Sequence, residues 1–262
     1  MVYSEKPNLA PSLLRRLTRR LGLTWILSKV LAFASLELNE LGFADHVSRR
    51  SHFIDPNFIR EQIYNLKRGV LHIGAHRGQE APTYASTNNK VLWVEAIEDI
   101  CRDLEQNLEP YPNQKAILAL LGDREQMVEF NISNNDGVSS SIHRFTEESN
   151  LGINMNSTRK LKMTRLDSIL TPSQMEHYSH WVLDVQGSEL AVLRGAGSLL
   201  DHCKSLDIEV TTYDLYEGGT RFEDLDLFLR DHGFLPMWGP REHSHEDIIY
   251  IRLESRRGNT KY

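Results

Sequence analysis

Two glycines and a glutamate within residues 70–97 have the types and the spacing of a nucleoside-binding site. Gly74 and Gly78 follow the apolar stretch Val70–Ile73, and Glu95 ends a second apolar stretch 21 positions after Gly74. A glycine turn after a strand lets a ligand lie against bare backbone, and an acid about 20 positions further on can hold a ribose diol. The segment therefore predicts a strand, a turn, a helix and a second strand around a cofactor that contains a nucleoside.

The glycine spacing also bears on which cofactor binds. The turn reads Gly74-x-x-x-Gly78 and lacks the middle glycine of G-x-G-x-x-G, which lets a pyrophosphate approach the backbone. Such a turn favours a ligand without a diphosphate, and S-adenosylmethionine is one. In this interpretation Glu95 binds its ribose and the first turn holds its methionine end. A nicotinamide cofactor is the weaker alternative.

Two acids that follow later apolar stretches are candidates for proton transfer. Asp184 ends the predicted strand 181–185, and Glu209 ends the predicted strand 206–210. Doubly wound sheets bind ligands at this edge, so we expect both acids to face the cleft with His76 of the first turn. The predicted catalytic residues are therefore Asp184, His76 and Glu209, although His76 also fits a polar turn residue bonded to backbone.

The acids at these strand ends leave two chemistries open. Asp184, Glu189 and Glu209 could share a proton, or they could hold a hard cation such as Mg²⁺ that acidifies a sugar diol. The ligand set is incomplete in the sequence, so a divalent cation stays open and no metal ligand is predicted. Glu189 also fits a first-turn helix acid, which the positive end of the helix dipole stabilises.

The residues predicted to contact the cofactor lie on the turns that follow the predicted strands. They are Gly74, Ala75, His76, Gly78, Gln79, Glu80, Glu95, Ala96, Gly122, Asp123, Ser140, Ser141, Asp184 and Gln186. By contrast, His243-x-His245 only loosely resembles the spacing of metal ligands, and we expect a solvated loop there.

Strands and helices alternate from residue 69 onward, which predicts an α/β fold with a doubly wound parallel sheet. The predicted strands are 70–73, 91–94, 114–121, 181–185 and 206–210, and the predicted helices are 78–86, 98–108, 188–200 and 222–232. Residues 234–237 and 248–252 predict a terminal antiparallel hairpin. Residues 127–132 alternate apolar and polar side chains, which predicts an antiparallel strand beside the parallel core. Residues 133–160 are rich in Ser and Asn and predict a long loop.

The composition changes along the chain and predicts three parts. These are a helical N-terminal appendage over residues 1–66, a cofactor-binding domain over 67–254 and a polar tail over 255–262. In the appendage, a helix beginning near Pro11 combines a leucine face with four arginines. It fits either a helix that packs on the domain or on a second subunit, or a basic amphipathic helix on an anionic membrane. A second helix is predicted near 55–66, with Pro56 in its first turn.

The overall composition is that of a globular protein. Of the 262 residues, 40% are hydrophobic and 25% are charged, and the formal charge is −6. This charge argues against nucleic acid as a partner, because phosphate contacts need a clustered positive field. The apolar stretch 21–38 is interrupted by Lys29 and Glu37, and two distant cysteines favour reduced thiols. We therefore expect an intracellular, cytoplasmic protein, and a homo-oligomer stays open.

Several sequence blocks resemble those of FkbM-type S-adenosylmethionine-dependent methyltransferases. The blocks are HIGAHRGQE at 72–80, WVEA at 93–96, SSSI at 139–142, LDS at 166–168, LDVQGSELAVLRGA at 183–196, IEV at 208–210, LYEGG at 215–219 and GF at 233–234. The resemblance covers about residues 69–253. It implies the seven-stranded, Rossmann-like methyltransferase sheet.

The resemblance also implies the reaction, O-methylation of a hydroxyl on a carbohydrate, glycan or secondary metabolite. Many members carry an acid where His72 stands and an asparagine where His76 stands, so the ammonium of the cofactor lacks one expected carboxylate. Either Glu80 or Asp184 replaces it, or cofactor affinity is low. A non-catalytic cofactor-binding module is therefore an alternative to the enzyme. We expect a small-molecule or glycan acceptor to contact the 133–160 loop and the 211–221 segment.

Overall fold

A computed structural model describes residues 55–66, 68–149 and 152–253 of the protein. The predicted helix near Pro11 and the predicted tail lie outside these residues. In chain order the helices and strands are α1 (Pro56–Asn65), β1 (Val70–Ile73), α2 (Ala81–Ser86), β2 (Val91–Glu95), α3 (Glu98–Leu108), β3 (Gln114–Leu118), β4 (Leu120–Leu121), β5 (Gln126–Ser133), β6 (Met155–Thr164), α4 (Leu166–Ile169), α5 (Pro172–Met175), β7 (His180–Leu183), α6 (Glu189–Ala196), β8 (Ser205–Thr211), α7 (Phe222–Asp231), β9 (Phe234–Pro236) and β10 (His245–Arg252).

The main sheet has seven strands in the order β3-β2-β1-β7-β8-β10-β9. The strands from β3 to β8 are mutually parallel, whereas β10 runs antiparallel to both β8 and β9. After β1 the chain continues to β2 and β3 on one side of β1, and it later returns to form β7 on the other side. The carboxyl ends of β1 and β7 therefore meet at a switch point. The predicted doubly wound sheet with a terminal antiparallel pair is confirmed.

Alternate residues of the strands pack into two apolar layers, one on each face of the sheet. One layer contains Trp181 and Leu183 of β7 with Leu193 of α6. The other contains Trp93 of β2 with Tyr84 of α2 and further residues of α3. Burial on both faces explains why these strands read as continuous apolar runs in the sequence.

A second sheet corrects two predictions. The predicted strand 114–121 is interrupted at Ala119, so that β4 leaves the main sheet and joins the order β4-β6-β5. The predicted strand 127–132 is antiparallel, but it pairs with β6 in this second sheet rather than beside the parallel core. The predicted loop over 133–160 is wrong after residue 154, where β6 begins. Most of β6 is exposed, so it carries no apolar pattern that would predict a strand.

The helices agree with the predictions more closely, with one break. The predicted helix 188–200 ends at Ala196, because Gly197 adopts φ +52° and a short 3₁₀ turn continues to His202. Helix α7 ends just before Gly233, whose φ of +84° matches the predicted glycine terminator. The short helices α4 and α5 were not predicted.

Helix α1 packs on the same face of the main sheet as α2 and α3. Tyr64 packs in the apolar layer with Trp93, and the Arg60 guanidinium forms ion pairs with Asp207 of β8 and with Asp247 of β10. The division of the chain into an appendage, a domain and a tail stays a prediction. None of the helices within the described residues has the length and apolar character needed to cross a membrane.

Candidate active site

A cleft of about 320 Å³ opens at the carboxyl ends of β1, β2 and β7. Pockets for small molecules and cofactors begin at about 300 Å³. The predicted site residues that line it are Gly74, Ala75, His76, Gln79, Glu80, Glu95, Ala96, Ser140, Asp184 and Gln186. The structure therefore brings together most of the set predicted from the sequence.

The first turn owes its shape to Gly74. Its φ is +86°, and a Cβ built there would lie 1.7 Å from the backbone oxygen of Asp184. The amide nitrogens of Gly74 and Ala75 both donate to the carbonyl of Val94, at 3.0 and 3.1 Å. The turn is thus held between the ends of β2 and β7, and it presents backbone to the cleft.

Glu95 is fixed at the end of β2 by two backbone hydrogen bonds. Its Oε2 accepts from the amide of His76 and its Oε1 from the amide of Ile97, both at 2.8 Å. Burial raises the pKa of the Glu95 carboxyl, and the backbone donors oppose this shift. Each carboxylate oxygen has a second lone pair, so the group can still accept from a ribose diol.

His76 links the first turn to the segment 134–140. Its φ of +45° turns the ring so that Nε2 lies 3.0 Å from the carbonyl of Asp136, while Nδ1 lies 2.8 Å from Nε2 of Gln79. The neighbouring Arg77 binds the Asp136 carboxylate at 2.5 Å and the Asp103 carboxylate at 2.9 Å. Gly137, next to Asp136, lines the cleft, so these bonds hold the segment at its mouth.

Asp184 and Glu209 form a carboxyl pair bridged by Gln186. The Gln186 amide nitrogen donates to Asp184 Oδ1 at 2.5 Å and to Glu209 Oε2 at 2.8 Å, so one side-chain amide joins the two carboxyl groups. Asp184 is open to the cleft, whereas the Glu209 side chain behind it is 14% exposed. Gln186 reaches both because it adopts φ +54°, a left-handed conformation that costs a non-glycine residue energy.

The protein surrounding this pair disfavours two negative charges. Enclosure and then the charge of Glu209 raise the pKa of Asp184 well above its usual range, and burial with nearby acids raises the pKa of Glu209 to about 8. Two carboxylates this close resist ionising together. The pair therefore retains a proton near neutral pH.

Two further side chains complete this network. The hydroxyl of Tyr216 donates to Oε1 of Gln186, and its ring stacks on Phe145 with 5.1 Å between centroids. His245 at the start of β10 places Nε2 2.7 Å from Glu209 Oε1. The expectation of a solvated loop at His245 is wrong, because antiparallel pairing with β8 brings this residue to Glu209. The His-x-His motif was visible in the sequence, but the register of β10 was not.

Four predicted cofactor contacts do not line the cleft. A Cβ at Gly78 would meet Leu104 of α3 at 2.6 Å, and one at Gly122 would meet Met163 of β6 at 2.2 Å, so both glycines serve close packing. Asp123 accepts from Arg165 through its carbonyl. Ser141 donates to the carbonyl of Gln186 at 2.6 Å and so supports the turn behind the cleft. In the segment just before Gly122, the residues that line the cleft are Ala119, Leu120 and Leu121.

Two other residues from the sequence analysis, Glu189 and His72, are buried. Glu189 is buried in the first turn of α6, where its Oε1 accepts from the amide of Gly187, and burial raises its pKa to about 7. His72 forms part of the cleft wall, stacks on Trp93 at 4.6 Å and contacts the Tyr84 hydroxyl at 3.1 Å. Burial lowers the pKa of His72 to about 3, so this position carries a neutral ring.

The cleft fits an adenosyl cofactor. Bare backbone at Gly74 and the carboxylate of Glu95 suit the ribose, apolar residues around Leu121 and Phe130 suit the adenine, and Glu80 and Asp184 are acids available to an ammonium. Within residues 55–66, 68–149 and 152–253, no group of three or more His, Cys, Asp or Glu side chains is arranged to hold a metal ion.

A Rossmann-like sheet with this cleft at its switch point defines an enzyme that uses a nucleoside-containing cofactor. The sequence identifies the family, because the model of the methyltransferase FkbM domain matches residues 72–236, more than half of the chain. The chain belongs to this family. It has a methyltransferase domain, and its cleft fits S-adenosylmethionine, the cofactor that the resemblance of the sequence blocks implied.

Solved structures of other methyltransferases are similar in fold. Magnesium protoporphyrin IX methyltransferase (ChlM) from Synechocystis PCC 6803 with bound SAM has 14% identity, with 82% of this chain and 93% of that chain covered and a TM-score of 0.39. An rRNA methylase from Streptococcus thermophilus has 12% identity, with 78% of this chain and 99% of that chain covered and a TM-score of 0.41. No curated protein sequence matches the chain significantly.

Proposed function

We propose that this methyltransferase methylates a hydroxyl group of a carbohydrate, a glycan or a secondary metabolite. The observation that carries the proposal is the carboxyl pair of Asp184 and Glu209, bridged by Gln186 at the edge of the cofactor cleft. A hydroxyl is a weak nucleophile and must lose its proton as its oxygen attacks. A carboxyl pair at this edge is suited to take that proton.

The bound cofactor supplies a methyl group activated by its positively charged sulfur. The protein then has to align the acceptor oxygen behind this methyl, which is worth on the order of 7–11 kcal/mol when the geometry is held well. Asp184 is open to the cleft and is positioned to receive the hydroxyl proton. Tyr216 and Gln186 hold the pair in place from behind. His76 is the other candidate base, although both of its ring nitrogens already have partners.

The charges around the cleft support a small neutral or glycan acceptor rather than nucleic acid. Glu80, Asp184 and Glu209 lie at or directly behind the cleft, and the chain carries a formal charge of −6. Such a site repels a phosphate backbone. The two free thiols, Cys101 and Cys203, are buried, which supports a cytoplasmic location.

Glu80 is the residue we assign to the ammonium of the cofactor. His72 cannot take this role, because its ring is neutral and its Nδ1 is bonded to Tyr84. Asp184 is paired with Glu209 and Glu95 is assigned to the ribose, which leaves Glu80 as the remaining acid that lines the cleft. Partial enclosure raises the pKa of Glu80 as well.

Isothermal titration calorimetry with two ligands distinguishes the role of Glu95 from that of Glu80. S-adenosylhomocysteine contains the ribose and the ammonium, whereas 5′-methylthioadenosine contains only the ribose. Glu95→Gln should weaken both ligands by about 100-fold, since two hydrogen bonds to a charged group are worth about 3 kcal/mol. Glu80→Gln should weaken only S-adenosylhomocysteine. Glu105→Gln on the exposed side of α3 is the matched control and should change neither.

The acceptor class is tested with a deuterated methyl donor. The protein is incubated with S-adenosylmethionine carrying a deuterated methyl group and a small-molecule extract of the source organism, and labelled products are identified by mass spectrometry. The proposal expects a labelled methyl ether on a hydroxyl compound. Label found only on nitrogen, on carbon or in nucleic acid would contradict it.

A further inference from the structure

His245 lies at the point where the carboxyl pair approaches solvent. Its Nε2 is 2.7 Å from Glu209 Oε1, and its Nδ1 is 2.8 Å from the Thr211 hydroxyl. The His245 side chain is 33% exposed, compared with 14% for Glu209. The ring therefore contacts the largely buried carboxyl through one nitrogen, while about a third of its side chain is accessible to water.

We propose that His245 carries the acceptor's proton away from Glu209 to solvent, so that the carboxyl pair is reset after each methyl transfer. This inference rests on the proposed O-methylation, in which the hydroxyl acceptor delivers a proton to the pair in each turnover. His245 acts through Glu209 and does not reach the cleft. It is a positioning and proton-transfer residue rather than a group that touches the acceptor.

The proton balance is as follows. The acceptor oxygen forms its bond to the methyl carbon as the carbon–sulfur bond breaks, and the hydroxyl proton passes to Asp184. Asp184 and Glu209 both accept from the amide nitrogen of Gln186, so the two carboxyl groups lie side by side. The proton passes from Asp184 to Glu209, and Glu209 passes one to Nε2 of His245. The imidazolium then loses its Nδ1 proton through the Thr211 hydroxyl to water, and exchange with water returns the remaining proton from Nε2 to Nδ1. The pair returns to one proton and His245 returns to its neutral form.

The proton needs a path to solvent that avoids the cleft, because Asp184 faces the cleft. Asp184 lines the cleft in which the cofactor and the acceptor would lie. A filled cleft separates Asp184 from bulk water. The chain Asp184, Glu209 and His245 leads in the opposite direction, from the cleft wall through β8 to the first residue of β10.

Two carboxylates, one from β8 and one from β10, lie near His245. Glu209 faces it from β8, and Asp247 lies on the same face of β10 two residues along. Arg60 of α1 is the nearby cation, and it is bound to Asp207 and Asp247. Glu246 is bound to Arg241. The imidazolium therefore faces carboxylates, while the neighbouring arginines are already paired.

The first test needs neither acceptor nor cofactor. The ring nitrogens of ¹⁵N-labelled histidine and the ¹³C-labelled glutamate carboxyls are followed by NMR during a pH titration of the full chain. His245 and Glu209 should show the same two apparent pKa values, because strongly coupled groups titrate as a pair. In Glu209→Gln, His245 should titrate in a single step. Independent single-step titration of both residues in the unmodified protein would overturn the proposal.

The second test measures turnover with the deuterated donor and the extract. His245→Gln retains a hydrogen bond to Glu209 but cannot carry a proton, and its rate should fall by about 100-fold, the lower part of the range for a proton-transfer group. Imidazole added to the buffer should restore the rate of His245→Ala. A merely structural His245 would instead be replaced well by Gln and would not respond to imidazole.

Controls separate this inference from the proposed function. His243→Gln, on the same connection but without a bond to the pair, should leave the titration and the rate unchanged. If the unmodified protein labels no hydroxyl compound, the proposed function fails and the NMR titration alone decides whether the proton link exists. Equal losses in His243→Gln and His245→Gln would overturn the relay.

Discussion

The two sides of the cleft are built in different ways. On the cofactor side, Gly74, His76 and Glu95 lie within one strand–turn–helix–strand segment and act through backbone geometry and one carboxylate. On the side assigned to the acceptor, Asp184, Gln186, Glu209, Tyr216 and His245 come from distant parts of the chain and act through side chains bonded to one another. A shared cofactor can be held by a local motif, whereas proton transfer depends on groups that only the folded sheet assembles.

Substitution of Asp184 tests the difference between the two sides of the cleft most directly. If the side-chain network performs the proton transfer and the local motif binds the cofactor, Asp184→Asn should lower the rate of methyl transfer by about 100-fold or more. Its dissociation constant for S-adenosylhomocysteine should change by less than about threefold, well under 1.4 kcal/mol. The two quantities are measured by the deuterium assay and by calorimetry. A parallel loss of both would place Asp184 on the cofactor side.

Gly74 is where the two sides touch, and its replacement should damage both. Gly74→Ala combines a left-handed residue with a Cβ 1.7 Å from the Asp184 backbone oxygen. We expect a loss of about 3 kcal/mol or more in the free energy of unfolding, measured with urea.

Gly152 supplies the matched control for this substitution. It has φ +64°, and no atom of the described residues lies within 4 Å of a built Cβ, so Gly152→Ala has the strain without the clash and should lose about 1 kcal/mol. Equal losses at the two glycines would mean that the contact between β1 and β7 can relax.

The carboxyl pair should also make stability depend on pH. Burial raises the pKa of Glu209 from an ordinary 4.5 to about 8, so the folded chain holds this proton where the unfolded chain has lost it. The stabilisation is complete below about pH 4.5 and is lost as the pH rises to about 8, by several kcal/mol, since each unit of the pKa shift is worth about 1.4 kcal/mol. Glu209→Gln should flatten this decline in urea unfolding at about pH 5 and about pH 8. An unchanged slope in the variant would refute the assignment.

The smallest effect is expected at the mouth of the cofactor side. Asp136→Asn weakens the bond from Arg77 to the segment 134–140, and it should speed the dissociation of S-adenosylhomocysteine by about two- to fivefold, as exposed ion pairs are weak. Asp103→Asn removes the other partner of Arg77 and leaves the segment attached. Stopped-flow fluorescence compares the two variants, and the same rate in both would exclude a role for the segment in retaining the cofactor.

Regular elements were predicted well where a local pattern specifies them. Strand β1 and helix α3 have the predicted bounds, because an apolar run of four residues followed by glycine, and an amphipathic stretch of three turns, depend on neighbours in the chain. The break at Ala119 and the exposed strand β6 were missed. Their formation depends on pairing within the second sheet, which leaves no apolar periodicity in the sequence.

The site shows the same division. The spacing of Gly74 and Glu95 identified the cofactor side, because both residues belong to one local motif whose geometry follows from the turn. The sequence also identified the family, through blocks such as residues 183–196. It could not show that Gly78 and Gly122 pack against Leu104 and Met163, because such contacts join residues far apart in the chain.

The amino-acid sequence thus determined the alternating fold, the cofactor turn and the acids at the strand ends, each through interactions between near neighbours. The tertiary structure alone decided that His245 meets Glu209 and that Gln186 joins Glu209 to Asp184. The first contact depends on the antiparallel register of β10 against β8, and the second on a left-handed turn packed under Tyr216. Such contacts are set by the packing of whole strands, because no local pattern encodes which residues of two distant segments lie opposite each other.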